Sequence, residues 1–326
     1  MTLLDTPFTQ KLGIAYPIIC GPMYPCSNPE LIAAVSEAGG IGVVQPLSMV
    51  YVHDHPLHEG LQLIKKMTKK PFGMNIIVEQ SSKIYKKRMQ EYVKIALEEG
   101  CRFFITSLGD PAWVIDQVKP LGGVVYHDVT ALKWAQKAIS AGADGLICVN
   151  NRAGGHAGAL SPKELFDQLK PLGLPLVCAG GVGDENDFLE ALKMGYAAVQ
   201  VGTRFIATTE CRERLEYKLG IVRATENDIV LTERVTGIPL SVIRTPYVDK
   251  IGVKIGPIAR LLFKYRITKH WMRLWYGFWA VRQFKNSSLH GDTSKEYWQA
   301  GKSAGHIHAV EPVAAIIARF VAKARE

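Results

Sequence analysis

The stretch PLVCAGGVGDENDFLEALKMGYAAVQVGTRF, residues 175–205, contains one complete structural repeat. An apolar run, PLVCA, ends in glycines. An amphipathic segment then opens at Asp184 and closes at Gly195, and a second apolar run, AAVQVG, follows. Short apolar runs bounded by glycine read as buried strands, and an Asp start with a Gly stop reads as a capped helix. Strand, helix and strand in that order imply a parallel pair joined by a crossover.

The same alternation continues upstream. Further apolar runs are YPIIC (16–20), IGVV (41–44), FGMNIIV (72–78), RFFIT (102–106), GVVYHDV (123–129) and GLICV (145–149). Helix-like segments lie between them, including NPELIAAVSEAGG, SKIYKKRMQEYVKIALEEG, TALKWAQKAISAGA and SPKELFDQL. In the last, Ser161, Pro162 and Glu164 stand at the N-cap, first-turn and N3 positions of a capping box. Eight strands alternating with helices predict an α/β fold, a (β/α)8 TIM barrel, over an open doubly wound sheet. No G-x-G-x-x-G follows an early strand, which weakens a dinucleotide-binding reading.

Bulk properties narrow the class. The chain of 326 residues is 48% apolar, enough for a sizeable core. No apolar run reaches about 18 residues, so no integral membrane segment is expected. The start, MTLLDTPFTQKLG, does not read as a signal peptide. The six cysteines (20, 26, 101, 148, 178 and 211) form no C-x-x-C pair, so they read as reduced thiols of a cytoplasmic protein and no metal site is expected. The formal charge of +9 is spread out, with small clusters at 65–70 and 86–88 that read as solvated helix faces. No nucleic-acid motif is present, and no nucleic-acid partner is expected.

Beyond residue 206 the texture changes to a basic, aromatic segment of largely helical period. Residues 1–206 with 311–326 are therefore expected to form the barrel, and 207–310 a smaller inserted helical subdomain, for substrate or as a lid. Trp271, Trp275, Trp279 and Trp298 lie in it. They read as subdomain core, with a lid, a homodimer interface or a membrane-surface helix as alternatives.

Active sites of such barrels lie at the C-terminal ends of the strands. Those ends carry GPM (21–23), Asn75, His127, NNRAGGHAG (150–158), AGGVGD (179–184) and QVGTRF (200–205). Glycine-rich loops after strands seven and eight, each leading into a helix start, suit a phosphate. In NNRAGGHAG the glycines allow close backbone approach, and His156 is the side chain suited to move a proton near neutral pH.

GPM with NPELIAAVSEAGGIGVV, then GMNI, AGADGLICVNNRAGGHAG, PLVCAGGV and ALKMGYAAVQVGTRF, together resemble the nitronate monooxygenase (2-nitropropane dioxygenase) family over residues 10–206. That family also includes a flavin-dependent enoyl-ACP reductase and NAD(P)H:quinone reductases. The resemblance implies a barrel that binds FMN. It places Gly21, Pro22 and Met23 against the flavin ring and has Asn75 hydrogen-bond the cofactor. Gly180, Gly181, Gln200, Gly202 and Thr203 would hold the phosphate and ribityl chain. Asn150 and Gly154 belong to the cofactor-binding set, and His156 would be the catalytic residue beside the substrate. Members often carry a glutamine five residues before the first glycine of GGH and a glutamate two before it. This chain has Val149 and Arg152 there, and Asn150 could partly replace the glutamine. Arg152 and His127 are candidate substrate contacts, and Arg152 in place of the glutamate favours an anionic substrate.

The resemblance implies oxidation of alkyl nitronates, or nitroalkanes, with O2 to carbonyl compounds and nitrite. The alternative is an NAD(P)H-dependent flavin reductase of enoyl thioesters or quinones, favoured by Arg152 and the basic subdomain. A third reading is a flavin-free barrel for a phosphorylated ligand.

Overall fold

The computed structural model describes residues 3–79, 83–256 and 297–326, together with Leu262. Trp271, Trp275 and Trp279 lie outside the described residues. From the N-terminus the elements are α1 (Pro7–Leu12), β1 (Ile18–Cys20), α2 (Pro29–Glu37), β2 (Ile41–Val44), α3 (Pro46–Tyr51), α4 (Leu57–Met67) and β3 (Gly73–Ile77). They continue as α5 (Lys83–Glu98), β4 (Phe103–Ser107), α6 (Ala112–Val118), β5 (Val124–Val129), α7 (Leu132–Ser140) and β6 (Gly145–Val149). Then come α8 (Pro162–Leu169), β7 (Leu176–Ala179), α9 (Glu185–Met194), β8 (Ala198–Val201) and α10 (Thr203–Ile206). Each of the eight strands pairs in parallel with the next, and β8 pairs with β1, closing the barrel. The expected TIM barrel is what the chain forms.

Side chains of each strand alternate between the lumen and the layer beneath the helices. Ile19, Ile41, Val43, Phe103, Ile105, Val124, Tyr126, Ile147, Val177 and Ala198 fill the lumen. Ile18, Met74, Phe104, Val125, Val129, Leu146 and Cys148 belong to the outer cluster instead. Phe8 of α1 plugs the N-terminal end of the lumen, edge-on to Phe103 at 5.6 Å and to Tyr126 at 5.5 Å. Gly145 makes room for that packing, since a Cβ there would come within 2.3 Å of the Tyr126 ring.

The local signals act as read. Ser161 N donates to Glu164 Oε2 at 2.8 Å, and Ser161 Oγ accepts from Glu164 N at 3.3 Å, completing the capping box of α8. Asp184 caps α9 in the same way.

The described part of 207–256 adds α11 (Leu215–Arg223) and an antiparallel pair, β9 (Ile229–Thr232) with β10 (Leu240–Ile243), followed by α12 (Pro246–Ile251). A helical segment was expected there; the pair is a strand element that the helical reading of 207–310 did not include. A 3-10 turn, Lys302–His306, and the C-terminal helix, Val313–Arg325, complete the chain. The C-terminal helix packs on α9 and α2, with Phe320 stacked on Phe188 at 5.3 Å. Buried Arg204 ties this return to the barrel, donating to Ala207 O and Ala309 O at 2.6 Å each. Among the described residues no helix is long and apolar enough to cross a membrane.

Candidate active site

The pleat decides what faces the C-terminal mouth of the lumen. Gly73 sits among the lumen side chains Phe103 and Val43, and Met74 lies in the outer cluster, so Asn75 returns to the lumen. Ala198 and Val199 place Gln200 there by the same alternation. On β5, Val124 and Tyr126 are lumen residues, and Asp128 is the next on that face. Asn75 Oδ1, Gln200 Oε1 and Asp128 Oδ1 are all shielded from solvent and lack a hydrogen-bond partner among the described residues. Buried polar atoms are rarely left unpaired, so three in one mouth mark a place prepared for a ligand. Asp128 is a site residue that the sequence reading missed. Burial pushes its carboxyl up to about 7.

His127 takes the opposite face, with Val125 and Val129. Its ring is buried, and Nδ1 lies 2.8 Å from Thr106 Oγ1 on β4. Burial pushes its pKa down to about 4. The structure therefore does not bring His127 together with the lumen residues.

The loop after β1 is held from both sides. Gly21 N donates to Val201 O at 3.0 Å, and Met23 N to Ser27 Oγ at 2.9 Å. Ser48 Oγ, at the start of α3, donates to Met23 O at 3.1 Å. Gly21 lies flat against Gln200, where a Cβ would come within 2.9 Å of Gln200 Cγ. Met23 Sδ reaches the neighbourhood of Gly202, so Gly21, Pro22 and Met23 share one rim with the start of α10. That helix has no side-chain N-cap.

Asn150, fully buried, staples the loops after β6 and β7 together. Its Oδ1 accepts from Arg152 N at 2.8 Å, and its Nδ2 donates to Gly180 O at 2.9 Å. Gly180 and Gly181 have φ of +114° and +93°, in the region that favours glycine. At Gly180 a Cβ would also strike Ala153 N at 2.5 Å. Arg152 lies across Gly181 and is committed to Glu226: Nη1 donates to Oε2 at 3.2 Å while Nη2 pairs with Oε1.

His156 is anchored by one ring nitrogen. Its Nδ1 lies 3.0 Å from Pro239 O, just before β10, so Nδ1 carries the proton and Nε2 keeps the lone pair. The side chain remains exposed by surface area, yet the protein mass around the ring disfavours its charged form. Its pKa falls below 6.5, with the Pro239 carbonyl opposing the shift.

The segment 301–306 closes over both phosphate-type loops. Gly301 N donates to Thr203 Oγ1 at 2.9 Å, and Gly301 packs against Gly154, where a Cβ would meet Gly301 N at 2.9 Å. His306 Nδ1 lies 2.7 Å from Asp187 Oδ2, which also accepts from Gly183 N at 2.9 Å. This hydrogen bond and the Asp187 charge raise the His306 pKa above 6.5. Nothing local in the sequence pairs positions 119 residues apart, and His306 was missed for that reason.

The chain is similar to proteins of known family and structure. The family described as nitronate monooxygenase matches residues 5–323. A curated relative in Mycobacterium tuberculosis, (3aS,4S,5R,7aS)-5-hydroxy-7a-methyl-1-oxo-octahydro-1H-indene-4-carboxyl-CoA dehydrogenase, is 31% identical over 252 residues, covering 76% of this chain and 68% of that one. A probable nitronate monooxygenase of Staphylococcus saprophyticus is 27% identical, covering 76% of this chain and 81% of that one. Among solved structures, FabK from Thermotoga maritima superposes with a TM-score of 0.82 at 30% identity, over 98% of this chain and 96% of that one. The chain thus belongs to the nitronate monooxygenase family and is a flavin-dependent oxidoreductase.

Proposed function

We infer that this protein is an FMN-dependent oxidoreductase that exchanges hydride with an acyl thioester, with NAD(P)H as the second redox partner. The residues present fit a flavin. Asn75 and Gln200 offer buried polar groups with unpaired oxygens for its ring, and the Gly21 backbone packs beside Gln200 with no side chain between. Gly180, Gly181, Gly202 and Thr203 lie where the phosphate of many barrels is held. When bound, the flavin supplies two-electron chemistry, while the protein orients substrate and manages protons. With Nδ1 fixed on Pro239 O, His156 Nε2 is free to accept a hydrogen bond from substrate or to take a proton.

The carrying observation is the charge of the lumen mouth. Among the described residues its strand-borne polar residues are Asn75, Ser107, Asp128 and Gln200, none a cation. Arg152 is paired with Glu226, and His156 is held neutral near pH 7. Among the described residues the strand ends offer an anionic nitronate no cation, and it would face a carboxyl, which is costly in a low-dielectric site. A thioester is neutral at its reacting carbons. The relatives named as a CoA dehydrogenase and FabK support the same class. Nitronate oxidation is the second reading, favoured by the relatives named probable nitronate monooxygenase.

Two measurements test this. Cofactor released by heat should co-elute with FMN and be unchanged by phosphodiesterase. Under anaerobic conditions NADPH or NADH should bleach the bound flavin. A pyridine-nucleotide-inert flavin that an alkyl nitronate reduces would overturn the proposal in favour of the second reading.

A further inference from the structure

Every hydride exchange at the β-carbon of a thioester needs a proton exchange at the α-carbon, and the flavin does not supply it. Among the described residues the lumen mouth has one strand-borne carboxyl, Asp128 at the end of β5. It stands on the face of Val124 and Tyr126, with Oδ1 shielded from solvent and unpartnered. The other two lumen oxygens without partners belong to Asn75 and Gln200, the residues assigned to the flavin ring. The strand ends therefore combine a cofactor-type amide pair with one carboxyl, while the titratable His156 stands on the loop after β6.

We propose that Asp128 is a further catalytic residue, whose carboxyl exchanges the α-carbon proton of the thioester. The proposal rests on the thioester reading above. In the oxidative direction the Cα–H bond breaks and its proton passes to Asp128 Oδ1. The Cβ–H bond breaks with its hydrogen and electron pair passing to the oxidised flavin. The pair left on Cα closes the C=C bond. Reduction of an enoyl thioester runs the same exchanges in reverse, with hydride from the reduced flavin and the proton from Asp128.

The surroundings suit that task. Burial is what raises the carboxyl to about 7, so both protonation states are populated near neutrality. On the β6 side, Ile147 is apolar and the Cys148 thiol is pushed well up, in part by Asp128 itself. On the β4 side stand Thr106 and Ser107, which do not titrate in this range. His127 is on the opposite face, bonded to Thr106 and neutral, and the charge that acts on it is Asp110. No described cation competes for the Asp128 oxygen.

The test uses the flavin-loaded enzyme, its Asp128→Asn and Asp128→Glu variants, and two readouts. First, the visible spectrum of the bound flavin is followed from pH 5 to 9. A single transition near 7 is expected in the native protein, absent in Asp128→Asn and displaced in Asp128→Glu. A flat native profile, or a transition retained in Asp128→Asn, overturns the proposal. If Asp128→Asn does not fold, an unmoved midpoint in Asp128→Glu overturns it equally. Second, reoxidation of the reduced flavin by crotonyl-CoA should slow by at least about 100-fold in Asp128→Asn. An undiminished rate in that variant overturns the role. If crotonyl-CoA fails to reoxidise even the native flavin, the thioester reading and its α-carbon step fall, while the spectral transition still decides whether Asp128 titrates beside the cofactor.

Discussion

His127 and Asp128 are consecutive residues of β5 whose side chains leave the strand on opposite faces, His127 toward Thr106 in the outer layer and Asp128 into the lumen. One residue of register thus separates a satisfied core imidazole from an unpartnered carboxyl at the mouth of the site.

The first prediction concerns stability without any substrate. Asp128 is raised from 3.8 to about 7 by burial, so folding favours its protonated form. That contribution is fully present below pH 3.8 and is lost as pH rises through 7. Above pH 7 the native protein carries a buried carboxylate that Asp128→Asn lacks. Asp128→Asn apoprotein should therefore be more stable than native by on the order of 1–3 kcal/mol at pH 8.5, allowing for partial solvent access. Urea unfolding at pH 5 and pH 8.5 checks this, and the gap should shrink at the lower pH.

His156→Ala should keep its flavin and lose turnover by about 10²–10⁴-fold, because only its Nε2 is offered to substrate. Since the native ring is held below 6.5, kcat/KM should not vary with His156 ionisation above pH 7 and should fall as the ring protonates in more acidic buffer. Steady-state pH profiles of both proteins measure this.

Arg152 and Glu226 form a half-exposed pair that spans two loops. Arg152→Met and Glu226→Gln should each cost about 1 kcal/mol or less, with the double variant no worse than either alone. Substrate KM should change equally in both. A KM raised more than about tenfold in Arg152→Met alone would make Arg152 a substrate ligand, as first read from its place before GGH.

His306 and Asp187 clamp the 3-10 turn onto the loop after β7. The His306 pKa is raised above 6.5, so the clamp contributes fully below 6.5 and weakens as pH rises through the raised value. The difference in melting temperature between native and His306→Ala should be larger at pH 5.5 than at pH 9. Scanning fluorimetry in the two buffers measures it.

Much of this was legible in the chain itself. All eight strands were visible as apolar runs, because strands buried on both faces have no polar side to interrupt them. The same property hid Asp128. When lumen and outer layer are both apolar, Val124, Tyr126 and Asp128 cannot be told from Val125, His127 and Val129 until the neighbours are known. Arg152–Glu226 and His306–Asp187 join residues 74 and 119 apart, beyond any local pattern. The β9–β10 pair leaves a trace in IVLT and LSVI, two short β-branched runs that the helical reading of 207–310 did not include.

The most direct measurement is the colour of the bound flavin in a closed anaerobic cuvette. NADPH is added until the flavin is bleached, excess is removed, and crotonyl-CoA is introduced. The expected result is return of the oxidised spectrum with one equivalent of saturated thioester formed. A flavin that stays oxidised with NADPH, and is reduced instead by an alkyl nitronate, would contradict the assignment.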